Sequence, residues 1–327
     1  MNGQTGRLRV HGHCNGLKTV LLFGLMWAVI MLIWWLTGGS RGTLGIYIAI
    51  GLGTTFFSYW FSDRIAIASM GAREVTEAQA PVIYRIVREL SAQAGKPMPR
   101  IYVAPTMSPN AFATGRNEHH AAVCCTQGIL RILNERELRG VLGHELMHVY
   151  NHDILTSAVA SAMATVITYL GYSLMYFGGG SRDDREGNGG GVGLIGVLLC
   201  SVLAPLGASL IQLAISRTRE FDADEDGSML TGDPAALASA LSKIESGIGV
   251  EPMRETAGTQ SAAAMMIANP FRGGGLSRLF STHPPTEERI ARLMRMSQEM
   301  SAAQMGFGGF GAPAQVPYTP YASSYAR

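Results

Sequence analysis

Hydrophobic and polar positions fall along this chain in long blocks. Four stretches, Leu17 to Leu36, Leu44 to Phe61, Ser157 to Phe177 and Val192 to Ile215, are nearly free of charge. Each is close to the roughly 20 residues that cross a bilayer as a helix. The last two are rich in Ala, Gly and Ser, which let membrane helices pack closely, and Pro205 is tolerable in such a setting. The first stretch runs past a signal-peptide core and lacks a small-residue cleavage site, so it reads as a retained anchor. Trp27, Trp34, Trp35, Tyr47, Tyr59 and Trp60 gather partly toward the span ends, as interfacial aromatics do.

Between and after the spans the periodicity changes. Val82, Ile83, Ile86, Val87 and Leu90 are spaced helically within Thr76 to Ala94, and Gly95 is a stop signal. "RIYVAP", "NAFATG" and "HAAVCCT" read as short strands of a small sheet. A helix then begins at Asn134, whose Glu three residues on makes a capping-box pattern. "SRTREFDADEDGSML" and "DPAALASALSKIES" are helical, whereas "ETAGTQSAAAMMIANPFRGGGLSRLFSTHPP" reads as a loop. Its Met265 and Met266, with Met253, mark packing or a lid. From Gln304 the chain is low-complexity Gly, Pro, Ala and Tyr, and disorder is expected.

These patterns define five segments: 1–61 with two spans, 62–156 polar, 157–216 with two spans and a Gly-rich loop, 217–303 polar, and the tail 304–327. Arg7, Arg9 and Lys18 precede the first span, Arg41 alone lies between the first two, and Arg64 and Arg73 follow the second. That bias places both termini in the cytoplasm, although Arg182 and Arg185 in the loop "GGGSRDDREGNGGG" weaken it. An even number of spans puts both polar segments on one side.

Composition supports a lipid environment: 47% of the 327 residues are hydrophobic and 15% charged, against about 25% charged in soluble domains. Twenty-six Lys and Arg against 24 Asp and Glu leave a net charge of +2, which forecasts no nucleic-acid footprint. Cys14, Cys200 and the adjacent Cys124 and Cys125 form neither a CxxC pair nor a disulfide framework.

The chemistry concentrates in "HELMH", His144 to His148. Residues four apart share a helix face, so His144 and His148 can point at one ion while Glu145 flanks the place of an attacking water. That is a two-His zinc pattern with a general base. A catalytic zinc needs a third protein ligand and an open position. Glu220 and Asp224, also four apart, are equally good ligands on chemistry alone, and the acidic run around them could instead be a solvated face. His152 continues the His series but drifts off the face and reads as a surface residue. Gly140 and Gly143 cost about 1 kcal/mol each in helix propensity, which points to a close approach there.

These motifs, "GHELMHVYNHDI", "SRTREFDADEDG", "NAFATG" and "STHPPTEERI", in this order, resemble the HtpX-type integral-membrane zinc metalloproteases, gluzincins related to the CAAX prenyl endoproteases. The resemblance runs from the first span to about Met294. It implies a mainly α membrane protein with four transmembrane helices and a cytoplasmic α+β zincin-like protease domain carrying a small sheet. It further implies one Zn2+ per chain on His144, His148 and Glu220, with Glu145 as catalytic base and Asp224 orienting a ligand. Asn110, Ala111, Phe112, Ala113 and Thr114 become a substrate-pairing edge. His283 is a candidate oxyanion donor, with Arg217 and Arg219 as alternatives. The expected role is hydrolysis of misfolded or damaged membrane proteins at a bacterial inner membrane. A narrow CAAX-like processing protease and a scaffold with structural zinc are the rivals. The Gly-rich loop and the tail depart from the family pattern, and neither substrates nor oligomeric state can be read from the motifs.

Overall fold

The computed structural model describes residues 15–36, 39–163, 217–263, 265–271 and 284–306. Among them the chain is mostly helical around one small mixed sheet. The first two spans are helices α1 (Asn15–Leu36) and α2 (Arg41–Ser69), both long and apolar enough to cross a membrane. Helix α2 opens on Ser40, whose hydroxyl caps Thr43 N–H, and runs eight residues beyond the expected end at Phe61. Ile46, Ile48, Ile50, Leu52, Phe56, Phe57 and Trp60 leave its side exposed, an apolar surface suited to lipid. Of the third expected span only the start is described, within helix α6 (Asp153–Met163). The fourth span, the Gly-rich loop and the tail beyond residue 306 lie outside the described residues. Val159, Ala160 and Met163 of α6 pack on Leu22, Met26, Val29 and Ile30 of α1.

Strand β1 (Arg73–Glu74) leads into helix α3 (Pro81–Ala94). That helix starts at Pro81 rather than at Thr76, because proline fits a first-turn position, and it ends at Gly95 with φ +64°. Strands β2 (Arg100–Ala104), β3 (Ala111–Gly115) and β4 (Ala121–Thr126) follow, close to the expected runs. The sheet order is β1-β2-β4-β3, with β2 and β4 parallel and the other pairs antiparallel. The period of two divides its faces. Ile101, Ala111, Val123 and Cys125 look into the main core with α3 and helix α5 (Glu135–Tyr150). Tyr102, Phe112, Ala122 and Cys124 look toward the end of α2 and toward Met253, Met265 and Met266.

Short helix α4 (Gln127–Ile132) connects β4 to α5. Helix α5 begins with the expected capping box: Glu137 N–H donates to Asn134 Oδ1 at 2.9 Å and Asn134 N–H to Glu137 Oε2 at 3.0 Å. From residue 217 on come α7 (Arg217–Thr231), α8 (Pro234–Val250), α9 (Ala257–Ala263) and α10 (Thr286–Gly306). Helix α9 falls in the stretch expected to be loop: the small residues of "AGTQSAA" carry no hydrophobic period, yet Ala262 is buried under the second face of the sheet.

Candidate metal centre and active site

Helices α5 and α7 bring the site together because both give up side chains where they touch. A Cβ on Gly227 would lie 2.8 Å from His144 N, and one on Gly143 would lie 3.2 Å from Gly227 O. On α5, Gly140 is equally tight, since its Cβ would meet Leu237 N of α8 at 2.9 Å. The close approach expected from Gly140 and Gly143 is therefore helix against helix. It seats α7 with Glu220, Asp224 and Gly227, spaced by four and three, along its contact with α5.

Ligating atoms of His144, His148 and Glu220 all lie within 4.8 Å of one another. His148 Nε2 is 3.2 Å from His144 Nε2 and 3.5 Å from Glu220 Oε1, while His144 Nε2 is 3.7 Å from Glu220 Oε2. A tetrahedral ion with bonds of about 2.0–2.1 Å has ligand–ligand edges of roughly 3.3–3.4 Å, so the triangle is the right size. Each imidazole is held from behind. His144 Nδ1 sits 2.9 Å from Asp224 Oδ1, and His148 Nδ1 sits 3.2 Å from Asp153 Oδ2. With each Nδ1 turned to a carboxylate, the two Nε2 atoms face each other across a gap that one cation, a proton or a metal ion, can bridge.

The electrostatics agree. Burial holds His144 below the usual imidazole range, despite Asp224. Burial also opposes charge on His148, but Glu220 and Asp153 overcome it and raise this imidazole to about 9. Glu145 is pushed up to about 8 by burial; His148 and Arg289 pull it down and Glu220 pushes it further up. Both Glu145 carboxylate oxygens are buried without a hydrogen-bond partner among the described residues. The four groups thus form an enclosure short of positive charge, and two imidazoles with a carboxylate are a donor set that zinc accepts.

Two residues outside the sequence-derived set complete the surroundings. Arg289 of α10 is buried and grips Asp224 with two bonds, Nε to Oδ2 at 2.8 Å and Nη2 to Oδ1 at 2.7 Å. Burial opposes an ionised Asp224, and Arg289 outweighs it, so this carboxyl stays below its usual range. Asp153, at the start of α6, takes a 2.8 Å bond from Asn15 Nδ2 on α1 and lies 3.6 Å from Arg219 Nη1. Arg289 stands within the motif "STHPPTEERI", four positions beyond its proline pair; Asp153 stands within "GHELMHVYNHDI". Neither was legible as a partner, because each reaches its histidine or aspartate only through tertiary folding.

Other expectations are placed as follows. His283 lies outside the described residues; of its alternatives, Arg217 is exposed and Arg219 is buried 3.6 Å from Asp153. His152 is exposed, with φ +59°. Ala111 to Thr114 belong to the edge strand β3 and Asn110 directly precedes it, and all five are buried. Their free edge carries the chain's own residues: Phe112 bridges Met266 antiparallel, and Ile267 N–H donates to Ala111 C=O at 3.0 Å.

The chain is similar to several known proteins. The model of peptidase family M48 matches residues 77–297. A protease HtpX homolog of Bifidobacterium longum (strain NCC 2705) is 80% identical over 292 residues, covering 89% of this chain and 95% of the relative. Another from Pseudarthrobacter chlorophenolicus is 61% identical over 291 residues, 88% of this chain and 98% of that one. Among solved structures, S. mikatae Ste24p aligns over 86% of this chain and 65% of that chain with TM-score 0.39 and 17% identity.

Proposed function

The chain belongs to peptidase family M48 and to the HtpX-type proteases within it, and from that premise we propose that it is a zinc-dependent endopeptidase acting at a membrane surface on unfolded or damaged membrane proteins. The observation that carries the chemistry is the triangle of His144, His148 and Glu220 beside a buried, unbonded Glu145. In this reading the triad holds one zinc ion and Glu145 is the general base. Zinc, when bound, supplies Lewis acidity that polarises a carbonyl and makes water nucleophilic near neutral pH. Glu145 Oε takes a proton from the attacking water and returns it to the leaving amine, a task suited to a carboxyl raised toward neutrality. Asp224 and Asp153 fix the imidazole tautomers, and Arg289 keeps Asp224 ionised. The sheet edge at β3 holds extended peptide through its backbone.

The membrane setting follows from α1 and α2. We take the expected third and fourth spans as part of it, giving four helices with the protease segments and both termini in the cytoplasm. The five segments keep the limits derived from the sequence pattern. Glu145 lies just before α6, which packs on α1, so the site stands close to where the chain meets the bilayer. A substrate presented at that surface needs no long travel to reach it.

The test is cleavage of casein and of a prenylated C-terminal peptide by detergent-purified protein reloaded with zinc, with Glu145→Gln alongside. Zinc-dependent cutting of casein that Glu145→Gln abolishes supports the proposal. Cutting of the prenylated peptide alone makes the enzyme a narrow processor, and zinc binding with no hydrolysis makes it a scaffold.

A further inference from the structure

A cavity of about 490 Å³ lies where α2 reaches its polar end, lined among others by Phe56, Trp60, Arg64, Arg100, Arg116 and His120. Its acids are already engaged: Asp63 accepts from Arg100 at 2.9 Å, and Glu118 next to the lining accepts from Lys96 at 2.6 Å. Arg64 and Arg116 have no carboxylate partner among the described residues. Their guanidinium groups lie over rings instead, 5.5 Å from Phe61 and 4.6 Å from Trp60. Below the cavity runs the exposed apolar side of α2. Two available arginines above an apolar ridge match a phosphate joined to acyl chains. We propose that this cavity binds the headgroup phosphate of an anionic phospholipid, whose chains lie along Phe56, Phe57 and Trp60. The assignment rests on α2 as a membrane span, and not on the chemistry of the metal centre. The experiment is native mass spectrometry of the full chain in detergent, titrated with phosphatidylglycerol, phosphatidylcholine and glycerol phosphate. One phosphatidylglycerol is expected to stay bound, with Arg64→Gln/Arg116→Gln weakening it about tenfold or more while far-ultraviolet circular dichroism is unchanged. Equal retention of phosphatidylcholine, no loss in the double variant, or equally tight binding of glycerol phosphate overturns the lipid assignment.

A second, independent observation concerns the edge of β3. The segment Met265 to Ala268 is bound there as a peptide would be: beyond the Ile267 bond to Ala111, the Asn110 carboxamide donates to Ala268 C=O at 2.9 Å and accepts from Ala268 N–H at 3.4 Å. Arg289 Nη1, from the group that grips Asp224, donates to Ile267 C=O at 2.6 Å. Strand β3 has one free edge, because β4 occupies the other. If extended substrate pairs there, as the peptidase reading requires, it competes with this segment. We infer that residues 265–268 are an internal strap that occupies the substrate strand position and must leave before cleavage. The bond from Ile267 to Ala111 makes Phe112 and Met266 a non-hydrogen-bonded pair, with Cα atoms about 4.5 Å apart. That spacing admits a disulfide. Phe112→Cys/Met266→Cys, made in a Cys124→Ala background because Cys124 faces position 112 across β3 and β4, therefore locks the strap. The oxidised form is expected to cut casein at least tenfold more slowly than the same protein after reduction, with both single variants indifferent to reductant. Equal rates oxidised and reduced, once the bond is verified by mass, overturn the strap. Loss of activity in the unsubstituted protein would count instead against the peptidase reading. With Glu145→Gln, hydrogen exchange at 265–268 is expected to rise when casein is bound, and protection that persists in the complex contradicts displacement.

Discussion

Gly227→Ala separates the two effects that a glycine in a helix combines. Alanine improves helix propensity by about 1 kcal/mol, and at an open position α7 would be more stable for it. Position 227 is not open. The new Cβ would lie 2.8 Å from His144 N and 2.9 Å from His144 Cα, where ordinary contact begins at 3.4 Å, so α7 must retreat from α5 by about 0.6 Å. The obstructing atoms are backbone and cannot rotate away. Overpacking of this kind costs roughly 1–3 kcal/mol, so after the propensity gain the net expectation is a loss of up to about 2 kcal/mol. The chemical effect is larger. A metal site tolerates errors of about 0.2 Å in its ligand distances, and a misplacement near 1 Å costs on the order of 100-fold in rate. The assays are thermal melting, zinc affinity in competition with a chelator, and casein cleavage. We expect a lower melting temperature, zinc bound at least tenfold more weakly, and cleavage down by one to two orders of magnitude. A variant that melts higher and keeps its zinc affinity would refute the view that this contact sets the ligand geometry.

Gly143→Ala drives its Cβ to 2.6 Å from Thr231 Cγ2, a side-chain tip, so after the gain in helix propensity it is expected to destabilise by up to about 2 kcal/mol and to regain stability in Gly143→Ala/Thr231→Ser, as read by chemical melting. Burial raises the Glu137 carboxyl, but Lys243, the Asn134 amide and Ser239 outweigh it and hold it below its usual range. Its stabilising effect is therefore present above the unfolded carboxyl pKa and disappears as pH falls through the lower folded value. Glu137→Gln is expected to cost about 1–2 kcal/mol at pH 7, with the difference shrinking as pH falls below the unfolded carboxyl range. A constant difference across that range would exclude the charged cap. Arg289→Met leaves Asp224 buried without its cation, so a loss of about 3–5 kcal/mol is expected in denaturant titration, with Arg289→Lys between the two because it cannot keep both bonds.

The strands, the capping box and the helices bearing HELMH and Glu220 were readable because each rests on local pattern: period two, a cap three residues from its partner, period 3.6. The choice between Glu220 and Asp224 was not, since two carboxylates four apart look alike until a neighbour is placed. Folding sets Asp224 against His144 Nδ1 and Arg289, and turns Glu220 toward both Nε2 atoms. Asp153 and Arg289 were invisible for the same reason. The strap was hidden by composition: "AAAMMIANP" has no alternation, and its pairing to β3 comes from Asn110 and from the backbone bridge between Phe112 and Met266. Gly140 and Gly143 were the exception, because a glycine pair that weakens its own helix already announces a close neighbour.

The most direct test of the central claim is zinc content measured side by side with cleavage for the unsubstituted chain, Glu145→Gln and Glu220→Ala, each reloaded after metal-free purification. The account requires close to one equivalent of zinc in the first two, with cleavage only in the first, and little zinc and no cleavage in Glu220→Ala. Full zinc retention in Glu220→Ala, or cleavage surviving in Glu145→Gln, would contradict it.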